Sequence, residues 1–206
     1  MPNLDLARIF TDFYERKVWG SAPTSGPGST TESTVAIRSW LPRLIEQLGV
    51  KTLLDIPCGD YSWMSTLDLP VDYIGGDIVT ALIHENQARY ADARRQFQEL
   101  DITCSPLPMA DLLLCRDCFL HFPNAAILAA LTNIKASGST YLLTTSFMDQ
   151  GDNPDIEIGG FHPVNLLVEP FNLPAPLQVM REPADATAWP DKCLALWPIA
   201  TLRECI

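Results

Sequence analysis

Three acidic residues each close a short apolar run, and their spacing is that of a nucleotide site. Asp55 follows L-L in Lys51 to Trp63, K-T-L-L-D-I-P-C-G-D-Y-S-W; Asp77 ends V-D-Y-I-G-G-D, and Asp101 ends F-Q-E-L-D. Short apolar runs of this kind read as buried strands, and an acid at the carboxyl end of one sits where open parallel sheets bind ligands. Asp77 lies about 20 residues beyond Asp55, the separation at which βαβ nucleotide sites place a carboxylate on ribose hydroxyls. Gly59, in the turn after the first run, lets the backbone approach a cofactor more closely than any Cβ would allow. A second pair able to do chemistry, Asp117 and His121, lies just past a fourth apolar run in R-D-C-F-L-H-F. Four apart, they share a face if that stretch is helical, and either is a candidate to accept a proton.

The elements that must position these residues alternate. Strands are expected in the first half of Lys51 to Trp63, ending at Asp55, and at Val71 to Asp77, Gln96 to Asp101, Ala110 to Cys115 and Thr140 to Thr145, with helices at Thr80 to Tyr90 and Asn124 to Ile134 between them. Strands alternating with helices mean a parallel sheet covered on both sides, an α/β fold. Before the sheet, Leu6, Ile9, Phe10, Phe13 and Tyr14 mark a one-sided helix over Leu4 to Lys17. Trp19 to Ser29, W-G-S-A-P-T-S-G-P-G-S, has a loop composition able to fold over a pocket. Ser29 and Glu32 fit a capping box opening a helix that carries Ile37, Trp40, Leu41, Leu44 and Leu48 and stops at Gly49, with Pro42 expected to kink or split it. Residues Asp149 to Pro176 are too irregular for a crossover helix, and Pro176 to Arg181 with Cys193 to Trp197 suggest a hairpin-like pair at the sheet edge.

The 206 residues fit one ordinary domain, and a formal charge of -11 opposes a phosphate-backbone footprint, so a nucleic-acid substrate is disfavoured. No secretory leader or membrane-length apolar run is visible, and a cytoplasmic protein is expected. Six cysteines sit mostly in apolar runs as buried thiols; the Cys115 and Cys118 pair has no second pair at zinc spacing, and no metal is implied.

These motifs resemble those of the class I S-adenosylmethionine-dependent methyltransferases: L-L-D-I-P-C-G-D-Y at Leu53 to Tyr61, Y-I-G-G-D at Tyr73 to Asp77, E-L-D-I at Glu99 to Ile102 and A-D-L-L-L-C-R-D at Ala110 to Asp117. A looser similarity, in the W-G and S-G-x-G-S segment, is to small bacterial methyltransferases of unassigned substrate. The resemblance implies a three-layer Rossmann-like sandwich whose seven-stranded, mostly parallel sheet has an antiparallel last strand. Residues 1–206 would be one methyltransferase domain, with 1–32 as helix and cover loop. It also implies S-adenosylmethionine as cofactor and a small-molecule methyl acceptor as partner. Asp55 would then orient the methionine end through water beside Pro57, Cys58 and Gly59. Asp77, with Ile78 beside it, would take the ribose hydroxyls, Asp101 and Ile102 would hold the adenine, and the Cys115 and Arg116 backbone would meet its amino group.

The sequence departs from the family at the glycine loop, where Pro57 and Tyr61 replace the first and third glycines of E/D-x-G-x-G-x-G. The departure leaves open a binding domain without catalysis. It also weakens a nicotinamide oxidoreductase, which needs G-x-G-x-x-G under its pyrophosphate. Trp19, Trp63, Tyr141, Phe147 and His162 are candidate walls of an acceptor pocket, with Asp117 or His121 as base for a poorly nucleophilic acceptor.

Overall fold

The computed structural model describes residues 5–20, 23–182 and 189–202. Seven strands form one sheet: β1 (Thr52–Asp55), β2 (Asp72–Asp77), β3 (Arg95–Glu99), β4 (Leu112–Cys115), β5 (Tyr141–Phe147), β6 (Gln178–Arg181) and β7 (Lys192–Pro198). Their order is β3-β2-β1-β4-β5-β7-β6, and every pairing from β3 to β5 is parallel. The chain moves outward from β1 to β3 and then returns to lay β4 on the other side of β1. This reversal opens a crevice at the carboxyl ends of β1 and β4, where Asp55 and Arg116 lie.

Four helices cover the sheet: α1 (Leu6–Glu15), α2 (Val35–Leu48), α3 (Thr80–Tyr90) and α4 (Asn124–Ala136). The interior strands β1, β4, β5 and β7 are buried on both faces because alternate side chains enter two different cores. Leu53, Leu112, Leu114, Leu143 and Leu194 pack with Ile37, Leu41, Leu44 and Ile45 of α2. Leu54, Leu113, Leu142 and Ala195 pack instead with α4, with Leu6 and Phe10 of α1, and with Val164, Leu166 and Phe171 of the irregular segment.

Three details differ from the sequence expectation. The connection from β3 to β4 holds a turn at residues 102–104 and no helix, so the alternation is broken there. The Ser29 and Glu32 capping box does not form: Thr30 Oγ1 takes the Ser33 N–H at 3.2 Å in a turn before the helix, and α2 begins at Val35. Pro42 does not split α2, since it lacks only one hydrogen bond while Leu41, Leu44 and Ile45 stay buried around it. The expected hairpin-like pair at the sheet edge is present: β6 and β7 pair antiparallel, with β7 lying antiparallel against β5 and β6 outermost.

The glycine-poor loop after β1 solves its geometry with two left-handed residues, Gly59 at φ 55° and Tyr61 at φ 57°. A tyrosine in that conformation costs about 1–2 kcal/mol. Its ring offsets this by packing at 4.9 to 5.2 Å from Tyr73, Tyr90 and Phe97. Losing a buried aromatic costs about 3–5 kcal/mol, so packing outweighs strain. Tyr61→Gly is therefore expected to destabilise the protein by about 1–4 kcal/mol in urea unfolding; a gain in stability would show that strain dominates.

Candidate active site

The carboxyl ends of β1, β2 and β4 floor a cavity of ≈ 480 Å³, a size usual for small-ligand sites. Asp55, Pro57, Cys58, Gly59, Asp77, Ile78, Asp101, Ile102, Arg116, Asp117 and His121 all line it. Cys115 does not. It is fully buried, and its carbonyl accepts the Thr144 hydroxyl at 2.7 Å, so β4 reaches the cavity one residue later, at Arg116.

Asp77 is buried, and its two carboxylate oxygens accept the Gly59 and Val79 N–H groups, each at 3.0 Å. It thereby fixes the β1 loop to the start of α3. Each oxygen retains a lone pair for a ligand. Burial pushes its pKa up to about 6, against the opposing pull of the backbone N–H groups of Val79, Gly59 and Ile78. Asn86 adds a second tie, donating to the Gly59 carbonyl at 2.7 Å. Asp101 uses Oδ1 on its own turn, accepting from Thr103 N at 2.8 Å and Thr103 Oγ1 at 2.6 Å. Its Oδ2 has no hydrogen-bond donor among the described residues.

Asp55 accepts the Tyr73 hydroxyl at 2.7 Å. Burial raises its pKa to about 7, although the Tyr73 bond and the Arg116 charge pull it down. A carboxyl whose folded pKa lies above its unfolded value contributes stability below the unfolded pKa and loses it as pH rises through the folded one. The ligand-free protein should thus lose stability as pH climbs from about 4 to about 7. Asp55→Asn should flatten much of that slope in thermal melts, and an unchanged slope would place its origin elsewhere.

Past β4, four charged side chains close a ring. Arg116 Nε meets Glu182 at 2.9 Å and Arg116 Nη1 meets Asp117 at 3.3 Å; Lys192 Nζ meets Asp117 at 2.8 Å and Glu182 Oε2 at 3.4 Å. Burial would raise the Asp117 pKa, but Arg116, Lys192 and Thr145 outweigh it and hold the carboxyl well below the usual range. A carboxylate held this way is a weak proton acceptor at neutral pH.

His121 differs in kind. Its Nδ1 lies 2.7 Å from the Gly160 carbonyl, which can only accept, so the proton is on Nδ1 and Nε2 carries a lone pair. Burial lowers its pKa from the ordinary 6.5, against the Gly160 bond and the Asp117 charge, which leaves the ring neutral near pH 7. The stretch bearing it is a single 3-10 turn, Phe119–His121, so Asp117 and His121 are not joined on one helical face.

The amino-terminal segment closes over these groups. Trp19 packs on His121 with ring centroids 5.0 Å apart, and on Phe10 and Phe13 at 5.8 and 5.4 Å. Thr24 N donates to Asp60 at 2.8 Å, Ser25 Oγ accepts from Asp60 N at 2.7 Å, and Arg116 Nη1 donates to the Gly28 carbonyl at 2.8 Å. A Cβ on Gly59 would strike the Ser25 side chain, so the glycine permits close approach of the covering loop as well as of a ligand.

Of the proposed aromatic wall, Trp19, Trp63 and Phe147 line the cavity, and Tyr141 and His162 do not. Tyr141 starts β5, far from its carboxyl end, and His162 sits between the Pro154 and Phe122 carbonyls at 2.8 and 3.0 Å. Sequence inspection missed Lys192, Phe161, Trp189, Tyr73 and Asn86. Only Lys192 carried a signal, as a cation at the mouth of an otherwise apolar strand.

No protein-family model matches the sequence, and no curated protein matches it. Solved structures do. The N-methyltransferase NodS from Bradyrhizobium japonicum WM9, in complex with S-adenosylhomocysteine, aligns at TM-score 0.66 and 15% identity over 91% of this chain and 97% of its own. The 1,6-didemethyltoxoflavin N1-methyltransferase from Burkholderia thailandensis, with 1,6-didemethyltoxoflavin and S-adenosylhomocysteine bound, aligns at TM-score 0.65 and 17% identity over 93% of this chain and 85% of its own. The [4+2]-cyclase SpnF aligns at 0.53 and 14% over 78% and 68%. Likeness at these identities is likeness of fold, and on it the chain has the Rossmann-like fold of the class I S-adenosylmethionine-dependent methyltransferases.

Proposed function

We propose that the protein transfers a methyl group from S-adenosylmethionine to a small-molecule acceptor by in-line displacement. One observation carries this: the strand-end acids Asp55, Asp77 and Asp101 line one cavity together with Gly59 and a neutral histidine, His121. Asp77 keeps lone pairs for two ribose hydroxyls, Asp101 Oδ2 and the Ile102 backbone offer partners for adenine, and Gly59 leaves room for the methionine portion. When bound, the cofactor supplies the electrophilic methyl group.

The residues of the chain then do three things. Residues 5–20 and 23–32 act as the cover, with Trp19 and Phe10 excluding water from the site, while 1–4 and 21–22 lie outside the described residues. Asp117, fixed by Lys192 and Thr145, positions the acceptor. His121 Nε2 receives the acceptor proton where the acceptor is poorly nucleophilic. Leu6 and Phe10 of the segment are buried in the core, so point substitutions test the cover better than deletion.

A second reading, cofactor binding without methyl transfer, is favoured by the missing glycines of the β1 loop, and the cyclase on the same fold shows that the architecture does not dictate the reaction. Incubation with S-adenosylmethionine labelled in the methyl group, across phenols, amines and N-heterocycles, separates the two. Label in an acceptor is expected. Retained cofactor affinity with no transfer to any of them would favour the second reading.

A further inference from the structure

The acceptor end of the cavity has two unlike walls. One is aromatic: Phe161 and Trp189 lie 5.6 Å apart at 45°, with Phe147 edge-on to Trp189 at 5.9 Å and His121 beside Phe161 at 6.3 Å. Phe161 is 49% exposed, a large ring left uncovered at the cavity. The other wall is the charged ring. Its cavity-facing members are Arg116, Asp117 and Lys192, while Glu182 stands behind them. Asp117 is the most open of these at 20%, and Lys192 follows at 11%. A carboxylate acceptor and an ammonium donor thus stand side by side, 2.8 Å apart, in the cavity that the aromatic rings also line.

The two walls select against simple ions. An ammonium ligand would meet Asp117 but be repelled by Lys192 and Arg116, which already neutralise that carboxylate. A carboxylate ligand would meet Lys192 but face Asp117, the more open of the pair. A neutral group with a donor and an acceptor side by side satisfies both partners, and a flat ring satisfies the aromatic wall. Burying four charges is costly even when they are paired, and an apolar wall would avoid that cost. A polar ligand edge gives the charged ring a use.

We propose that the acceptor is a planar heteroaromatic lactam, an aromatic ring with adjacent N–H and C=O, lying against Phe161 and Trp189 with its N–H on Asp117 and its oxygen on Lys192. This rests on the methyl-transfer reading and names the substrate class for it. A site built to pair both groups rejects ligands lacking either, because its buried partners would go unanswered.

Calorimetric titration with 2-quinolone, quinoline and 2-piperidone, each with and without S-adenosylhomocysteine, isolates the features: quinoline has the ring without the lactam edge, and 2-piperidone has the edge without the aromatic ring. The expected result is 2-quinolone binding at least about tenfold tighter than either, with Phe161→Leu removing about tenfold from 2-quinolone and little from 2-piperidone. Phe161 is half exposed, so this variant folds. Equal or tighter binding of quinoline or 2-piperidone, or wild-type affinity for 2-quinolone in Phe161→Leu, would overturn the proposal. S-adenosylhomocysteine binding without 2-quinolone binding overturns it too and leaves methyl transfer standing. Loss of S-adenosylhomocysteine binding removes the methyl-transfer reading instead, and the titrations made without cofactor then decide the lactam site alone.

Discussion

His121→Ala lowers methyl-transfer turnover on the order of a hundredfold or more, with S-adenosylhomocysteine affinity near wild type. The effect follows from the tautomer. Gly160 fixes the proton on Nδ1, so the free Nε2 is the only unprotonated nitrogen in the turn that can take a proton at neutral pH. Burial lowers the imidazole pKa below 6.5, so turnover should hold at pH 7 and fall only as the pH drops below that ordinary value. Asp117→Asn should behave differently, raising KM for the acceptor and leaving the acid limb of the profile in place, because its carboxylate is engaged by Lys192 and Arg116. Wild-type turnover in His121→Ala, with the chemical step shown to limit the rate, would mean that the acceptor needs no base or takes it elsewhere.

Asp77→Ala weakens S-adenosylhomocysteine binding by about 1.5–3 kcal/mol, the worth of charge-assisted hydrogen bonds to a sugar. Two effects combine in this number. The ligand loses its acceptor, and Gly59 N and Val79 N lose the carboxylate that holds the β1 loop against α3. The fold should survive, since the strands around it keep their apolar packing on both faces. Calorimetry on a variant with unchanged circular dichroism checks this, and unchanged affinity would remove Asp77 from the site.

The sheet was legible because its strands are short, its central ones apolar, and three of them run into acids. Asp55, Asp77 and Asp101 could be placed from that alone, since a strand end is a position in sequence as well as in space. The start of α2 was not legible, because Thr30, Ser33 and Thr34 compete with Ser29 for the same capping role and only the turn geometry decides among them. The edge pair of β6 and β7 was legible as a pair, but which of the two lies against β5 was not: a buried strand has the same composition whether it pairs on one side or two, and pairing partners are distant in sequence. The charged ring was invisible for that reason as well, joining Arg116 and Asp117 to Glu182 and Lys192 across strands β4, β6 and β7. It is also what separates the roles of Asp117 and His121, which their four-residue spacing made look alike.

The central claim is that the strand-end acids form an S-adenosylmethionine site. Isothermal titration of the wild-type protein with S-adenosylhomocysteine and, in parallel, with NAD tests it most directly. The account predicts one saturable S-adenosylhomocysteine site per chain and no binding of NAD. Absence of S-adenosylhomocysteine binding, or saturable binding of NAD in its place, would contradict it.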